Sequence, residues 1–446
     1  MNASLSLLAE IPVPRDLPLP LPLAEDVLKV MLVLTFLLHI FFVNLMAGGS
    51  FVVVALEWLG LRRPRYDALA HKVAETVTVN KSLAVVLGIG PLLCINLVYT
   101  LQWYSANSLT GHAWLLIVPL VISAFLLTYL HKYTWERWSH GPAKRWHLAL
   151  GALASAHFLF IPLIFLANIN LMLYPGEWEK VRGFFSSLVI GNVAPRYAHF
   201  LLASIALTGL FLAGWLGRRR ANLDDAPGFT HAELRRIFYR VAFLATSAQF
   251  VVGPTLLLTL PSAGLSARLY QVIFLGIGIA LLVMLLLWRE LQSSDARIGR
   301  WYVPICVLFS TIVLSMGTGR HLFRETALAE QKAKIHEHTA EFQKALTAFN
   351  ESLAANGGVE ETGEILFANC AACHARDKVL VGPPLTEIAR IYQGNPDGIV
   401  TWARGPGKKR PNFPQMPNMG HLGEANLRKI AGYMLETGSS SSAPAP

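Results

Sequence analysis

Charge is scarce in this chain. Of its 446 residues only 15% are Asp, Glu, Lys or Arg, while 53% are hydrophobic. Soluble domains carry about a quarter charged residues, so an ordinary soluble enzyme is excluded. Cysteine is scarcer still, at four residues. Cys94 and Cys306 fall inside apolar runs and read as buried thiols. Cys370 and Cys373 share one motif, so no disulfide framework remains. Residues 1–26 lack a basic start and carry Pro12, Pro14, Pro18, Pro20 and Pro22. That composition argues against a cleavable signal peptide and for an extended surface arm.

What is abundant is apolar sequence. Long apolar runs recur from about residue 27 to residue 325, and most reach the ~20 residues that cross a bilayer. The expected fold is all-α: a polytopic membrane bundle of about eight spans, then a small all-α domain. The spans are read at 28–59, 81–104, 112–138, 146–174, 194–217, 234–261, 266–291 and 300–325. The first and fourth are long enough to tilt. A polar helical stalk and hinge follow at 326–359, a separate domain at 360–436, and a disordered tail at 437–446, ending in the sequence SSSSAPAP.

The net charge of +10 is not spread evenly. Residues 1–325 hold 26 Lys/Arg against 16 Asp/Glu, and residues 326–446 hold 12 of each. Eighteen of the 26 lie in the connections after spans one, three, five and seven, from Arg62 to Arg300. Positive residues favour the cytoplasm. The excess is therefore an orientation signal and not a nucleic-acid surface. It places both termini on the periplasmic side of a bacterial inner membrane.

Cys370-Ala-Ala-Cys373-His374 has the spacing of c-type haem attachment. Two thiols one helical turn apart add to the two haem vinyl groups, and the next histidine ligates the iron. A redox Cys-x-x-Cys or half a zinc site is the competing reading. Around the motif stand Gly363 and Phe367, the turn Gly382-Pro383-Pro384-Leu385, the pair Met416-Pro417, and a helix from Asn426 to Leu435 with Tyr433. This order resembles class I cytochrome c over residues 360–436. The resemblance implies one covalent haem c, with Pro383 beside His374 and a methionine as second axial ligand. Met416 is the choice, with Met419 as its rival; His421 reads as a surface residue.

Ionisable groups inside a bilayer are costly and mark functional candidates, although a membrane histidine often only bonds a neighbouring helix. His39 lies in span one, His199 near the outer start of span five and His321 at the outer end of span eight. They are candidate haem ligands. Arg196, Arg320 and Arg324 stand near the same side and suit propionates, or serve as interfacial anchors. His157 lies within span four; His112 is at an outer boundary; His71, His131, His140, His147 and His231 lie on the inner side; His336 and His338 are in the stalk. No span carries two histidines 13–14 residues apart, as cytochrome b of the quinol–cytochrome c reductases does. The adjacent His-His pair of haem–copper oxidases is also absent.

Several segments in order do have a counterpart: His39 with Ala55-Leu56-Glu57, Gly88-Ile-Gly-Pro91 with Gln102-Trp103, and Thr134-Trp-Glu-Arg137. To these add Ala167-Asn168 with Tyr174-Pro175, Ala194 to Gly209 with His199, Leu275-Gly-Ile-Gly278, and Gly319-Arg320. Over residues 28–325 this pattern resembles subunit I of cytochrome bd-type oxidases. The resemblance implies one to three non-covalent b- or d-type haems. The departures are specific. Phe274 stands near that family's methionine ligand, no acid lies between Trp114 and Trp135, and about five residues (Ser262–Ser266) replace the long quinol loop. His321, next to Gly319-Arg320, is a candidate replacement ligand.

The expectation is a membrane cytochrome of a respiratory chain, passing electrons between haem c and membrane haem as a cytochrome c-linked, bd-like reductase subunit. Its expected partners are the bilayer, periplasmic redox proteins, and a second membrane subunit or larger complex. The alternative is a haem-free anchor or transporter displaying a cytochrome c.

Overall fold

The computed structural model describes residues 21–138, 141–224, 226–355, 362–408 and 414–440. Most of the proline-rich arm, His140, residues 356–361 and the last six residues of the tail lie outside the described residues; the first half of the expected hinge, 351–355, continues a helix.

Eight helical segments are long and apolar enough to cross a membrane. They are α1 (Glu25–Gly60), α2 with α3 (Pro64–Leu87 and Ile89–Val98), α5 (His112–Tyr133), α6 (Ala143–Met172), α7 (Val193–Trp215), α8 (His231–Leu258), α9 (Ala267–Leu291) and α10 (Tyr302–Ala327). A short α4 (Thr100–Thr110) joins α3 to α5. The chain is a multi-pass, all-α membrane protein. Large apolar side chains such as Leu115, Val189, Val251 and Leu258 face outward. In water that surface would be a liability; in lipid it is the solvent-matched face.

Span two differs from its expected limits. The basic stretch after Gly60 is not a long loop, because helix α2 starts at Pro64 and runs through it. Proline at the first turn costs no hydrogen bond. Leu69, Ala70, Val73, Ala74 and Val77 then form a helical stripe buried against the end of α1. Burial of that stripe outweighs the local charge of Arg65 and Lys72. The helix breaks at Gly88 and again at Tyr99.

Helix α1 is the hub. It packs against α2, α3, α6, α7 and α10. Counting crossings makes α1 and α7 parallel, and they touch closely. A Cβ on Gly48 would lie 2.2 Å from the Ser204 carbonyl, and the Ser204 hydroxyl donates to Asn44 Oδ1 at 2.9 Å. Small residues at such crossings let membrane helices pack backbone to backbone. The bundle end where α1 begins is called upper here, and the end where it finishes lower.

The chain divides into two units, and the boundary falls between Thr339 and Ala340, within α11 (Ala329–Ala355). The C-terminal unit holds α12 (Gly363–Leu366), α13 (Ala368–Ala371), α14 (Leu385–Tyr392), α15 (Pro396–Arg404) and α16 (Glu424–Ser439). Its core is Leu366, Cys370, Leu385, Ile388, Ile399, Val400, Leu427, Ile430 and Met434. Gly363 permits α12 to cross α16, since a Cβ there would meet the Lys429 carbonyl at 2.2 Å. Phe367 and Tyr433 meet beside that crossing, ring centres 5.3 Å apart.

Candidate functional site

In the C-terminal unit the motif sits on a short helical turn. Cys370 ends up buried and Cys373 half-buried, both as free thiols. The backbone N–H groups of Cys373 and His374 both donate to the Cys370 carbonyl at 3.0 Å. Burial pushes the Cys370 thiol above its ordinary range, and Cys373 beside it adds to the shift. His374 is buried, and its Nδ1 donates to the Pro383 carbonyl at 2.8 Å. That bond leaves Nε2 as the ring's free donor atom and fixes the ring plane, as partners of ligating histidines do. A Cβ at Gly382 would come within 2.5 Å of the His374 ring. Met416 and Met419 both pack half-buried on the core, and the Met419 N–H donates to the Ala403 carbonyl at 2.9 Å. The structure thus brings Cys370, Cys373, His374 and Pro383 together and keeps both methionines as candidates.

One prediction follows here. Gly382→Ala overpacks the His374 ring, which costs about 1–3 kcal/mol. For a domain this small each kcal/mol lowers the melting temperature by about 4–8 °C. Thermal denaturation of the full chain, followed through its c-type absorption, checks it.

In the bundle His39 and His199 share one level, and His321 lies above them. His39 precedes Asn44 by five residues and His199 precedes Ser204 by five. With Asn44 bonded to Ser204 and the two helices parallel, both histidines lie about 7.5 Å above that contact. Helix α10 runs the other way and meets α1 where Gly317 faces Leu37. His321 is therefore about 6 Å above that level and His39 about 3 Å below it. Each has a buried Nδ1 with no hydrogen-bond partner. The His39 ring also bonds the Ala84 backbone, and His131, His147 and His157 all have partners. Gly88 lies against His39, where a Cβ would come within 2.9 Å of the ring.

The arginines complete the upper end. Arg320 covers the Phe36 ring at 4.5 Å, Arg324 covers Tyr99 at 5.1 Å, and Arg196 covers Phe323 at 5.4 Å. Arg196 and Arg324 both lie close enough to Arg320 to repel it. Among the described residues none of the three forms an ion pair with a carboxylate. Glu325 instead joins Lys29 at 2.8 Å, Lys332 at 3.2 Å and the Tyr99 hydroxyl. Arg196 Nε donates to Asn192 Oδ1 at 2.6 Å, and the Glu325 charge acts on Arg324, but three clustered guanidiniums with no carboxylate at ion-pair distance still suit an anionic ligand. Unpaired imidazoles and uncompensated arginines at one bundle end are a donor set that fits a haem with its propionates.

Other residues are placed differently. Phe274, near the position of the expected methionine ligand, faces outward with 64% of its surface exposed. His336 is exposed on α11, as expected of a solvated helix face. A second polar cluster was not legible as a unit in the sequence. At the lower end Glu57, His131, Lys144 and His147 are all buried in mutual contact. They come from three helices with no motif spacing, so only Glu57 at the end of a resembling segment stood out.

Residues 360–438 match the family model for cytochrome c. The C-terminal segment is a cytochrome c domain. For the membrane part, the solved structure of bd oxidase from Geobacillus thermodenitrificans is similar at a TM-score of 0.54 and 13% identity. The match covers 74% of this chain and 98% of that one. At such identity it is the fold that is shared: eight apolar helices in a bd oxidase-like bundle, followed by cytochrome c. No curated protein matches the chain. A cytochrome c domain behind a multi-pass bundle makes this a membrane haem protein of electron transport.

Proposed function

We propose that electrons pass between a covalent haem c on Cys370, Cys373 and His374 and non-covalent b- or d-type haem in the bundle. His39, His199 and His321 are the iron ligands in this reading. Arg196, Arg320 and Arg324 take the propionates. One observation carries it: three buried imidazole Nδ1 atoms without hydrogen-bond partners lie on the upper side of the bundle with three arginines that, among the described residues, have no carboxylate within ion-pair distance. Leaving a buried polar group unsatisfied costs about 1–3 kcal/mol, and a bound ligand recovers that cost. Haem, when bound, supplies reversible one-electron chemistry. The chain's own residues do the rest. The two thiols tether, the Pro383 carbonyl orients His374, a methionine sulfur raises the potential, and the arginines neutralise carboxylates.

The basic residues of the lower connections favour that end as cytoplasmic. The c domain is then periplasmic, where haem attachment of this kind takes place. The connection from α8 to α9 holds only Thr259–Ser266, and its shortness favours electron entry through haem c over entry from quinol. The lack of acids between Trp114 and Trp135 leaves oxygen reduction without an evident proton supply in that segment.

A pyridine haemochrome spectrum of the purified full chain tests the proposal. Both c-type and b- or d-type signals are expected. A c signal alone would leave the bundle as an anchor or transporter. For the c domain, Met416→Ala is expected to abolish the methionine–iron absorption near the red end of the spectrum. Loss of that band in Met419→Ala alone would move the ligand to Met419.

A further inference from the structure

The lower end of the bundle carries chemistry that the haem reading does not use. Glu57 from α1, His131 from α5 and His147 from α6 offer three ligand atoms within 4.8 Å of one another, all buried. Glu57 Oε2 lies 2.9 Å from His131 Nε2, and Glu57 Oε1 lies 2.5 Å from His147 Nδ1. The two imidazoles stack with ring centres 4.1 Å apart, both edge-on to Trp135.

The hydrogen bonds call for a positive species at the cluster, supplied by a bound cation or by a proton on His147. His147 Nε2 is 2.8 Å from the His131 carbonyl, which only accepts, so that nitrogen carries a proton. In a neutral ring Nδ1 is then a bare lone pair, aimed at a carboxylate oxygen. Two acceptors do not approach this closely without a positive species between them. Charge counting agrees. Lys144 bridges Glu57 Oε1 at 2.8 Å and Asp67 at 2.6 Å. With neutral histidines the cluster holds two carboxylates and one ammonium, a net negative charge inside a bundle.

We propose that Glu57, His131 and His147 bind a divalent transition-metal ion of the zinc class. Two imidazoles and a carboxylate suit zinc, and the absence of thiolates among them argues against a copper(I) site. The surrounding bonds are those of a held ligand set. His147 Nε2 is tied to a carbonyl, and Lys144 holds the Glu57 carboxylate, which presents Oε2 to His131 and Oε1 to His147. Bonds of about 2.0–2.1 Å put tetrahedral ligand atoms roughly 3.3 Å apart. The Glu57–His131 and Glu57–His147 contacts, at 2.9 and 2.5 Å, reach that spacing by opening less than about 1 Å. Beside His131 a cavity of about 30 Å³, edged by Ser50, Thr128 and Ser155, has room for one water. The ion would clamp spans one, three and four at the lower end, independent of the haem site.

The test is elemental analysis of the purified full chain after incubation with zinc and desalting. Zinc K-edge absorption reports the ligand shell, and haem iron per chain reports folding. One zinc per chain with two imidazoles in its shell is expected. Glu57→Gln, His131→Ala and His147→Ala should each lose it with haem iron unchanged. His336→Ala, on the exposed stalk, should keep it. If the ligand variants lose haem iron as well, the wild-type ligand shell decides. Zinc no higher than background, zinc retained in every ligand variant, or a shell without two imidazoles means an adventitious ion only and overturns the proposal. So does a cluster that takes up no metal and is held by a shared proton.

Discussion

Replacing Cys370 and Cys373 together by alanine is expected to abolish all haem that survives denaturation. The motif supplies the chain's pair of thiols one helical turn apart; Cys94 and Cys306 stand elsewhere, in α3 and α10. Peroxidase staining of a denaturing gel reads the result directly, and residual stain at full intensity would sink the assignment. His374→Ala should behave differently. The thioether tethers remain, so stain is retained, but the low-spin c spectrum is lost. The Pro383 carbonyl then loses its donor, and a buried acceptor is left unpaired, at about 1–3 kcal/mol. The two variants therefore separate attachment from ligation.

The second large effect lies in the bundle. His39→Ala, His199→Ala and His321→Ala are each expected to lower the non-covalent haem content, while c haem stays at one per chain. Removing an iron ligand removes most of the specific binding that holds such a haem, whereas removing an unpaired buried histidine that binds nothing would leave the spectrum unchanged. Retention of all b- or d-type signal in every one of the three would refute the ligand set. Arg320→Gln serves as a second probe. It keeps hydrogen-bonding capacity and deletes the charge, so haem should be retained with weakened binding and a shifted reduction potential. The Arg320 neighbourhood makes the sign clear. Arg196 and Arg324 already repel it, so without an anionic ligand its loss would stabilise the bundle. A gain in thermal stability with unchanged haem potential would show that no propionate is held there.

Much of this molecule was legible before any coordinates. Apolar length alone yields eight spans, because a bilayer forces helices whose backbone bonds close internally. The Cys-x-x-Cys-His motif is local chemistry, complete within five residues, and needs no tertiary knowledge. His39, His199 and His321 could be singled out because a titratable group in an apolar run is conspicuous. Their depths could only be approximated until the Asn44–Ser204 and Gly317–Leu37 contacts set the helix registers.

The remainder depended on packing. Residues 64–80 fall outside the span read from apolar length, yet form a helix because their apolar stripe buries against α1. Glu57, His131 and His147 are separated by 74 and 16 residues, and nothing in their spacing joins them. Three helices converging at one end place them within hydrogen-bond reach. By itself the sequence determined the number of membrane crossings, the basic bias of alternate connections and the haem-attachment motif, since hydropathy, charge and a five-residue motif are local properties. Only the tertiary structure decided which histidines stand unpaired and which share a carboxylate, because that depends on the rotation and register of each helix against its neighbours.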